Sequence, residues 1–480
     1  MRLKSNGGKS QRWVELEGMG AFLLALGCAR AWLTLLFAAP ALPEQADLDA
    51  HRVFDIALTV ICVAVALNAR RIAPLSSTRW IRPLIGISMV GSSLLSIASA
   101  LMPSAAMPFA FAGALMGGLG FGSFLLLWAE ALAPLSIVKI ALFSSGSQVF
   151  AVILVFFCQG MAHTQLIAAT IVLPFIALAA VSHATQRWHR AADSPEGPYA
   201  NSKGNKNAFS IPWKLIALMG VYSFAYGLRE EQLAAGAGMY SSVSTALGMT
   251  AFFLLVYFLS DRMSIGALYK STPLLVLCGF LLIPGEEFLG NIASSYLISI
   301  GYTLMSLLVA LLLYDISKRF GIAIIALAGM KNAMQFFVGL GNDCTRLIQA
   351  SSLPLPIQEA APTVAVVVLI FIATFILFSE KELTAKWGIR FLEHAPFAEE
   401  SREQKKRVDR CDELSRRGKL SPREDEILRL YAQGKNGPAI EKELFIAEGT
   451  LKTHTRHIYE KLGVSSRKEL LKALEIGEDS

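Results

Sequence analysis

MPFAFAGALMGGLGFGSFLLLWA, residues 107–129, runs for 23 residues without an ionisable side chain. At about 1.5 Å of rise per residue, a helix of that length exceeds the ~30 Å hydrocarbon core of a bilayer, so the stretch reads as a transmembrane span. Eleven further apolar stretches surround it: 20–39, 53–69, 83–102, 137–158, 165–182, 213–228, 240–259, 272–285, 293–314, 321–341 and 362–380. The two at 213–228 and 272–285 are short, which leaves their ends open. Between the sixth and seventh stretches lies 183–212, rich in Ser, Gly, Asn, Pro and Lys, a composition suited to a solvated linker. It divides twelve candidate spans six and six.

The whole chain has 480 residues, of which 54% are hydrophobic and a further 37 are glycine. That exceeds the ~45–50% apolar share of ordinary globular domains and argues against a soluble enzyme. Charge is concentrated at the C-terminal end: residues 393–480 hold 18 Lys/Arg and 18 Asp/Glu, whereas residues 1–392 hold 45 charged residues in all. The formal net charge of +7 therefore lies in the apolar part and reports membrane orientation before nucleic-acid affinity. Six cysteines occur without a CxxC pair, five of them in or beside apolar runs, where they read as small buried hydrophobes.

Lys and Arg in alternate loops divide 21 to 3, the minor side holding Arg52, Arg229 and Arg346. This asymmetry predicts cytoplasmic N- and C-termini and an even number of spans in a multi-pass protein of the cytoplasmic membrane. The first span is too long for a usual signal-peptide core, carries Arg30 and is followed by more spans, so it reads as retained.

Ionisable groups inside a membrane are costly and mark candidate sites. Arg30 lies near the middle of the first span. Lys331 lies near the middle of the eleventh, followed by Asn332 and Gln335, whose spacing lets them share a helix face. Glu130 ends the fourth span and Asp55 opens the second. Arg229, Glu230 and Glu231, among glycines in YGLREEQLAAGAG, suggest a broken helix lining a cavity. Two readings stay open: Arg30 and Lys331 hold an anionic small ligand, or they pair internally, with Glu130 or Asp55 as partners, and fix helix packing.

The tail reads differently. Residues 381–413 form a charged connector in which Val408, Cys411 and Leu414 recur at three-residue spacing. Ser421-Pro422-Arg423-Glu424 has the pattern of a capping box, followed by the apolar stripe Ile427, Leu428, Tyr431 and a stop at Gly434. A second short helix starts near Asn436 and Pro438 and buries Ile440 and Leu444. A third runs from about Glu448 to Leu462, with Leu451, Thr455, Ile458 and Leu462 inward and Gly463 as its end. A second capping box, Ser466 to Glu469, opens a fourth helix bearing Leu470, Leu471 and Leu474. Two short helices joined by a tight apolar turn are the helix-turn-helix plan. The outward face of the third helix offers Thr450, Lys452, Thr453 and Arg456, with His454 and His457 nearby, to a major groove.

Two resemblances follow. Twelve spans in two sixes with a basic central linker resemble the major facilitator architecture over roughly residues 15–385. Asp261-Arg262 is similar to part of that superfamily's cytoplasmic loop motif, while NARRIAPLSSTRWIR, residues 68–82, lacks the motif's glycine and acid, which favours a sensor over a transporter. Residues 420–474 resemble the LuxR-type helix-turn-helix of bacterial transcription regulators at Pro422-Arg423-Glu424, Gly434, Ile440, Leu444, Thr450-Leu451-Lys452, His454, Ile458, Lys461-Leu462 and Leu470. This implies that 448–462 is the recognition helix, that Lys452, Thr453 and Arg456 face double-stranded DNA, and that the fourth helix helps form a homodimer. Glu441 and Ala447 depart from the family's usual alanine and serine. Ala447 removes an N-cap worth ~0.5–2 kcal/mol.

The expectation is thus an all-α protein. It comprises a cytoplasmic N-terminus (1–19), a twelve-span membrane bundle (20–380, linker 183–212), a charged connector (381–413) and a DNA-binding domain of four helices (414–480). No phosphate-cradling glycine loop, metal cluster or nucleophile–base motif is present, so neither an enzyme nor a cofactor is expected. The connector is too short for a receiver domain. Control must pass directly from a ligand-sensing bundle to the tail; a true transporter with an accessory regulatory tail is the alternative.

Overall fold

The computed structural model describes residues 18–38, 44–192, 212–237, 240–259, 265–282, 291–320, 322–352, 354–373, 410–432, 440–441, 444, 447–466, 469–470 and 473. Among the described residues there is no strand. The first half of the bundle comprises α1 (Met19–Ala38), α2 (Glu44–Ile72), α3 (Ile81–Leu101), α4 (Ala106–Leu132), α5 (Ile137–Gln159) and α6 (His163–Ala192). The second comprises α7 (Trp213–Ala237), α8 (Tyr240–Leu259), α9 (Ile265–Leu282), α10 (Asn291–Phe320), α11 (Ile324–Ala333), α12 (Phe336–Gln349) and α13 (Leu355–Ile372). Eight described stretches are long and apolar enough to cross a membrane. Four shorter apolar helices, Trp213–Leu228, Val243–Leu259, Ser271–Leu282 and Ala361–Ile372, accompany them.

The two halves repeat one packing scheme. α2 and α3 both lie along α4, as α8 and α9 both lie along α10. The halves meet where α2 packs on α11 and α5 on α8. Small residues allow the closest approaches: a Cβ built on Gly118 would run into the Phe54 carbonyl of α2, and one on Gly227 into the Val338 carbonyl of α12. Outward-facing Leu67, Leu101, Phe156 and Leu347 are exposed, as expected of side chains that meet lipid tails.

Several boundaries differ from the sequence expectation. α6 continues to Ala192, so the beginning of the expected linker is helical; residues 193–211 lie outside the described residues. α7 is continuous to Ala237, so the break expected around Arg229–Glu231 is absent. Gly227, one of the glycines that suggested a break, instead admits the backbone of α12. The interruption lies in the eleventh span, between α11 and α12. There the Met334 and Gln335 N–H groups donate to the carbonyls of Lys331 (3.2 Å) and Asn332 (3.1 Å), a tightening to three-residue bonding. Ser260, Asp261 and Arg262 lie outside the described residues.

The tail has its own core, built from helical residues 410–418, α14 (Pro422–Ala432), α15 (Glu448–Leu462) and Leu470. Cys411 and Leu414 are buried in it, so their spacing marks packing onto the DNA-binding domain rather than a solvated connector, and the domain core begins before residue 414. Arg423 reaches across to donate to the Leu444 carbonyl (2.8 Å), tying down the short second helix. Ile440 is fully buried beside Glu441, so the acidic departure leaves that core contact in place. Gly434, Asn436, Pro438, Leu471 and Leu474 lie outside the described residues.

Candidate functional site

A cavity of about 360 Å³ occupies the middle of the bundle. It is lined from α1, α2, α4 and α5 of one half and from α7, α8, α10 and α11 of the other, with nothing from α3, α6, α9 or α13. Arg30 enters from the first half; Lys331, Asn332 and Gln335 enter from the second, at the interruption between α11 and α12. The sequence-selected cations therefore converge, 301 positions apart in the chain. Neither forms an ion pair among the described residues. Asp55 lines the same cavity.

Glu130 does not line it. Its buried carboxylate accepts hydrogen bonds from the backbone N–H groups of Leu75 (2.9 Å) and Ser76 (2.7 Å), capping the short 3₁₀ turn Leu75–Ser77 after α2. Its place at the end of α4 aims it at that turn, so it is a structural cap. Tyr226 and Tyr302, which carried no signal in sequence because aromatic residues are common in spans, line the cavity as a stacked pair with ring centroids 4.4 Å apart. The Tyr302 hydroxyl donates to Gln335 Oε1 at 3.3 Å. Gln148, also passed over, lines the cavity from α5.

In the tail, the first capping box closes reciprocally: the Ser421 N–H donates to Glu424 Oε2 (2.7 Å), and the Glu424 N–H to Ser421 Oγ (3.3 Å). The second differs from expectation. Glu469 N–H donates to Ser466 Oγ (3.2 Å), but the Glu469 carboxylate accepts from the N–H (2.7 Å) and hydroxyl (2.8 Å) of Ser465. These bonds hold the Glu469 carboxyl below the ordinary glutamate range. α15 lacks a side-chain cap at Ala447 and ends at Gly463, whose φ of 67° is the left-handed geometry glycine tolerates.

α15 buries Leu451 and Ile458, and the Tyr431 and Thr455 hydroxyls lie 3.1 Å apart. Its opposite face exposes Thr450, Lys452, Thr453 and Arg456. Lys452 pairs with Glu448 at 2.7 Å and Arg456 with Glu460 at 3.8 Å, both on the open surface. The Glu448 carboxylate raises the Lys452 pKa through a hydrogen bond and its charge, and is itself lowered in return. Exposed pairs of this kind contribute little, so both cations remain available to a stronger anion. The half-exposed His457 places its Nδ1 3.7 Å from the buried Glu424 carboxylate.

Residues 418–474 match the family described as bacterial regulatory proteins, luxR family. The probable transcriptional regulatory protein NarL of Mycobacterium tuberculosis is 54% identical over 48 residues, covering 10% of this chain and 22% of that protein. The HTH-type transcriptional regulator MalT of Yersinia pestis is 44% identical over 57 residues, 12% of this chain and 6% of MalT. This chain thus spans less than a quarter of the curated relatives it matches. The bundle is similar in fold to the proton:xylose symporter XylE (TM-score 0.51, 12% identity, 79% of this chain and 100% of that one). It is also similar to a bacterial homologue of the iron transporter ferroportin in its outward-facing state (0.53, 13%, 78% and 100%) and to the human organic anion transporter MFSD10 (0.52, 13%, 76% and 99%). A segment that matches the luxR family model over residues 418–474 is thus joined to a bundle of apolar helices similar in fold to major facilitator transporters.

Proposed function

We propose that the protein is a membrane-embedded transcription regulator. Its bundle binds a small anionic ligand in the central cavity, and its conformation governs DNA binding by the tail. The observation that carries this reading is the convergence of Arg30 and Lys331, one from each half, on a single cavity. A ligand held by both halves favours whichever arrangement of the halves brings the two cations to it, which is what a switch requires. Moving such an equilibrium from 1:99 to 99:1 takes ~5.5 kcal/mol of differential affinity. The similar structures are named for sugar, iron and organic-anion transport, so the fold does not choose the ligand, and the charged side chains carry that choice.

In the tail, α15 lies in a major groove with Thr450, Lys452, Thr453 and Arg456 toward DNA, and two copies of the domain bind as a homodimer. The protein lies in the bacterial cytoplasmic membrane with both termini inside, and residues 374–409 transmit the signal.

Transcription and transport assays on one set of variants test the proposal. Arg30→Ala and Lys331→Ala are expected to blunt ligand-dependent transcription while the tail still binds DNA, and liposomes holding the intact protein are expected not to accumulate the ligand. A second reading, a true transporter with a regulatory tail, draws on the fold. Robust uptake abolished by either substitution would establish it.

A further inference from the structure

We infer that the cavity ligand is a two-sided organic anion, with hydroxyl groups along one flank and hydrocarbon along the other. This rests on the anionic-ligand reading and adds chemical class to it. The two halves of the bundle supply unlike walls. Among the described residues, ten lining residues come from the second half and all but Met219 carry a side-chain oxygen or nitrogen, whereas eight of the twelve from the first half are purely hydrocarbon. Arg30 and Lys331 stand one on each wall, so an anionic group held by both leaves the rest of the ligand lying between the two.

The second-half wall suits hydroxyls because it both donates and accepts. Thr303 spends its hydrogen on the Ser299 carbonyl (2.7 Å), which leaves its own oxygen to accept. Gln335 accepts from the Tyr302 hydroxyl at 3.3 Å, which leaves its amide NH₂ to donate. Ser223 is fully buried, and its hydroxyl has no hydrogen-bond partner among the described residues. A buried polar group without a partner costs free energy. A ligand hydroxyl, donor and acceptor at once, matches either need.

The first-half wall offers such partners over only a small part of its surface. Phe54, Leu58, Phe121 and Leu125 line it from α2 and α4, and Val152 and Val155 continue it along α5. Its uncharged polar members are Thr34, whose hydroxyl donates to the Arg30 carbonyl of its own helix (3.2 Å), and Gln148, whose amide nitrogen donates to Met249 Sδ (3.8 Å). A hydroxyl turned toward the hydrocarbon side chains gives up water with nothing in return, whereas hydrocarbon there gains by leaving water. A wholly apolar anion thus fails on one wall and a polyol on the other.

The test uses the full-length protein in lipid nanodiscs, with empty nanodiscs as the blank, and measures calorimetric affinity for probes of one chain length: hexanoate, 3-hydroxyhexanoate, 5-hydroxyhexanoate, gluconate and hexanamide. The tighter of the two hydroxy acids is expected to bind about ten-fold more tightly than either hexanoate or gluconate, the equivalent of ~1.4 kcal/mol and the size of one net hydrogen bond. Hexanamide is expected to bind about ten-fold or more weakly than hexanoate, because it brings no charge to the cations. Ser306→Ala and Thr303→Val are expected to reduce the hydroxy acid's advantage over hexanoate, and Val152→Asn its advantage over gluconate. Hexanoate or gluconate binding as tightly as both hydroxy acids, or an undiminished hydroxyl preference in both Ser306→Ala and Thr303→Val, would overturn the two-sided inference and leave the anionic-ligand reading standing. Hexanamide binding as tightly as hexanoate, hexanoate affinity unchanged in both Arg30→Gln and Lys331→Gln, or no probe binding at all would overturn both.

Discussion

The Ser93 hydroxyl on α3 donates to the Thr170 carbonyl on α6 at 2.8 Å, and Thr170 is the residue whose carbonyl Pro174 leaves without its helical donor. The Trp32 indole N–H of α1 donates in turn to Ser93 Oγ at 2.8 Å. One serine thus joins three helices and repairs a proline's gap, as a lipid-facing bundle without competing water requires. Ser93→Ala should destabilise the bundle by roughly 1–3 kcal/mol through orphaned buried groups. In a Pro174→Ala background, where residue 174 regains its N–H, the same substitution should cost less. Thermal unfolding in detergent of the four proteins of this cycle measures the coupling; additive effects would contradict the repair.

In the tail, Lys461 donates to Glu424 at 2.6 Å. Burial pushes the Glu424 carboxyl up, but the Lys461 hydrogen bond and the bonds from Ser421 outweigh it and hold the group below the ordinary glutamate range. A depressed carboxylate contributes stability above its unfolded pKa of about 4.3, and that stability is lost as pH falls through the lower folded value. Lys461→Met should therefore destabilise the tail by roughly 1–2 kcal/mol at neutral pH, with the gap to wild type closing in acid. Denaturant unfolding of a 405–480 fragment across pH 2–7 checks this, and a pH-independent gap would count against it.

DNA binding by that fragment tests the exposed face of α15. Lys452→Ala should weaken binding across sequences and reduce the salt slope by roughly 0.9, as expected for loss of one phosphate contact. Arg456→Ala should also relax base preference, costing ~1–3 kcal/mol at one position. Gel-shift affinity unchanged in the double variant would remove the assignment. A fragment beginning at 414 should be less stable than one beginning at 405, because it lacks the buried Cys411.

Two glycines, one on each helix, test the packing of α7 on α12. A Cβ at Gly227 meets the Val338 carbonyl, a rigid backbone atom, whereas Gly339 has open space around it. Gly227→Ala should lower the thermal stability of the bundle by several degrees. Gly339→Ala should be neutral or gain up to about 1 kcal/mol from helix propensity. Equal effects in a detergent melting assay would show that the close approach does not matter.

Topology can be read by labelling single cysteines at 200 and 478 in intact cells, after replacing the native cysteines, Cys278 above all because it is exposed. The 21 to 3 charge asymmetry predicts that both sites stay protected from an impermeant reagent until the membrane is permeabilised. Rapid labelling of either would reverse the orientation.

The helical class, the abundance of long apolar helices, the helix-turn-helix and the inward and outward faces of α15 were legible in the sequence. Each rests on a local quantity: apolar run length, the 3.6-residue period, or a capping pair three residues apart. That Arg30 and Lys331 deserved notice was also legible, since a charge in an apolar run is conspicuous wherever it points. Tertiary structure alone decided that these two share one cavity, that Glu130 is spent on the Leu75–Ser76 turn and that His457 faces Glu424. It also placed the interruption in the eleventh span rather than at Gly227, whose missing side chain serves another helix's backbone. The physical reason is the same in each case: a polar group or a glycine declares in sequence that it needs a partner or a close neighbour, but the partner is set by packing between helices distant in the chain.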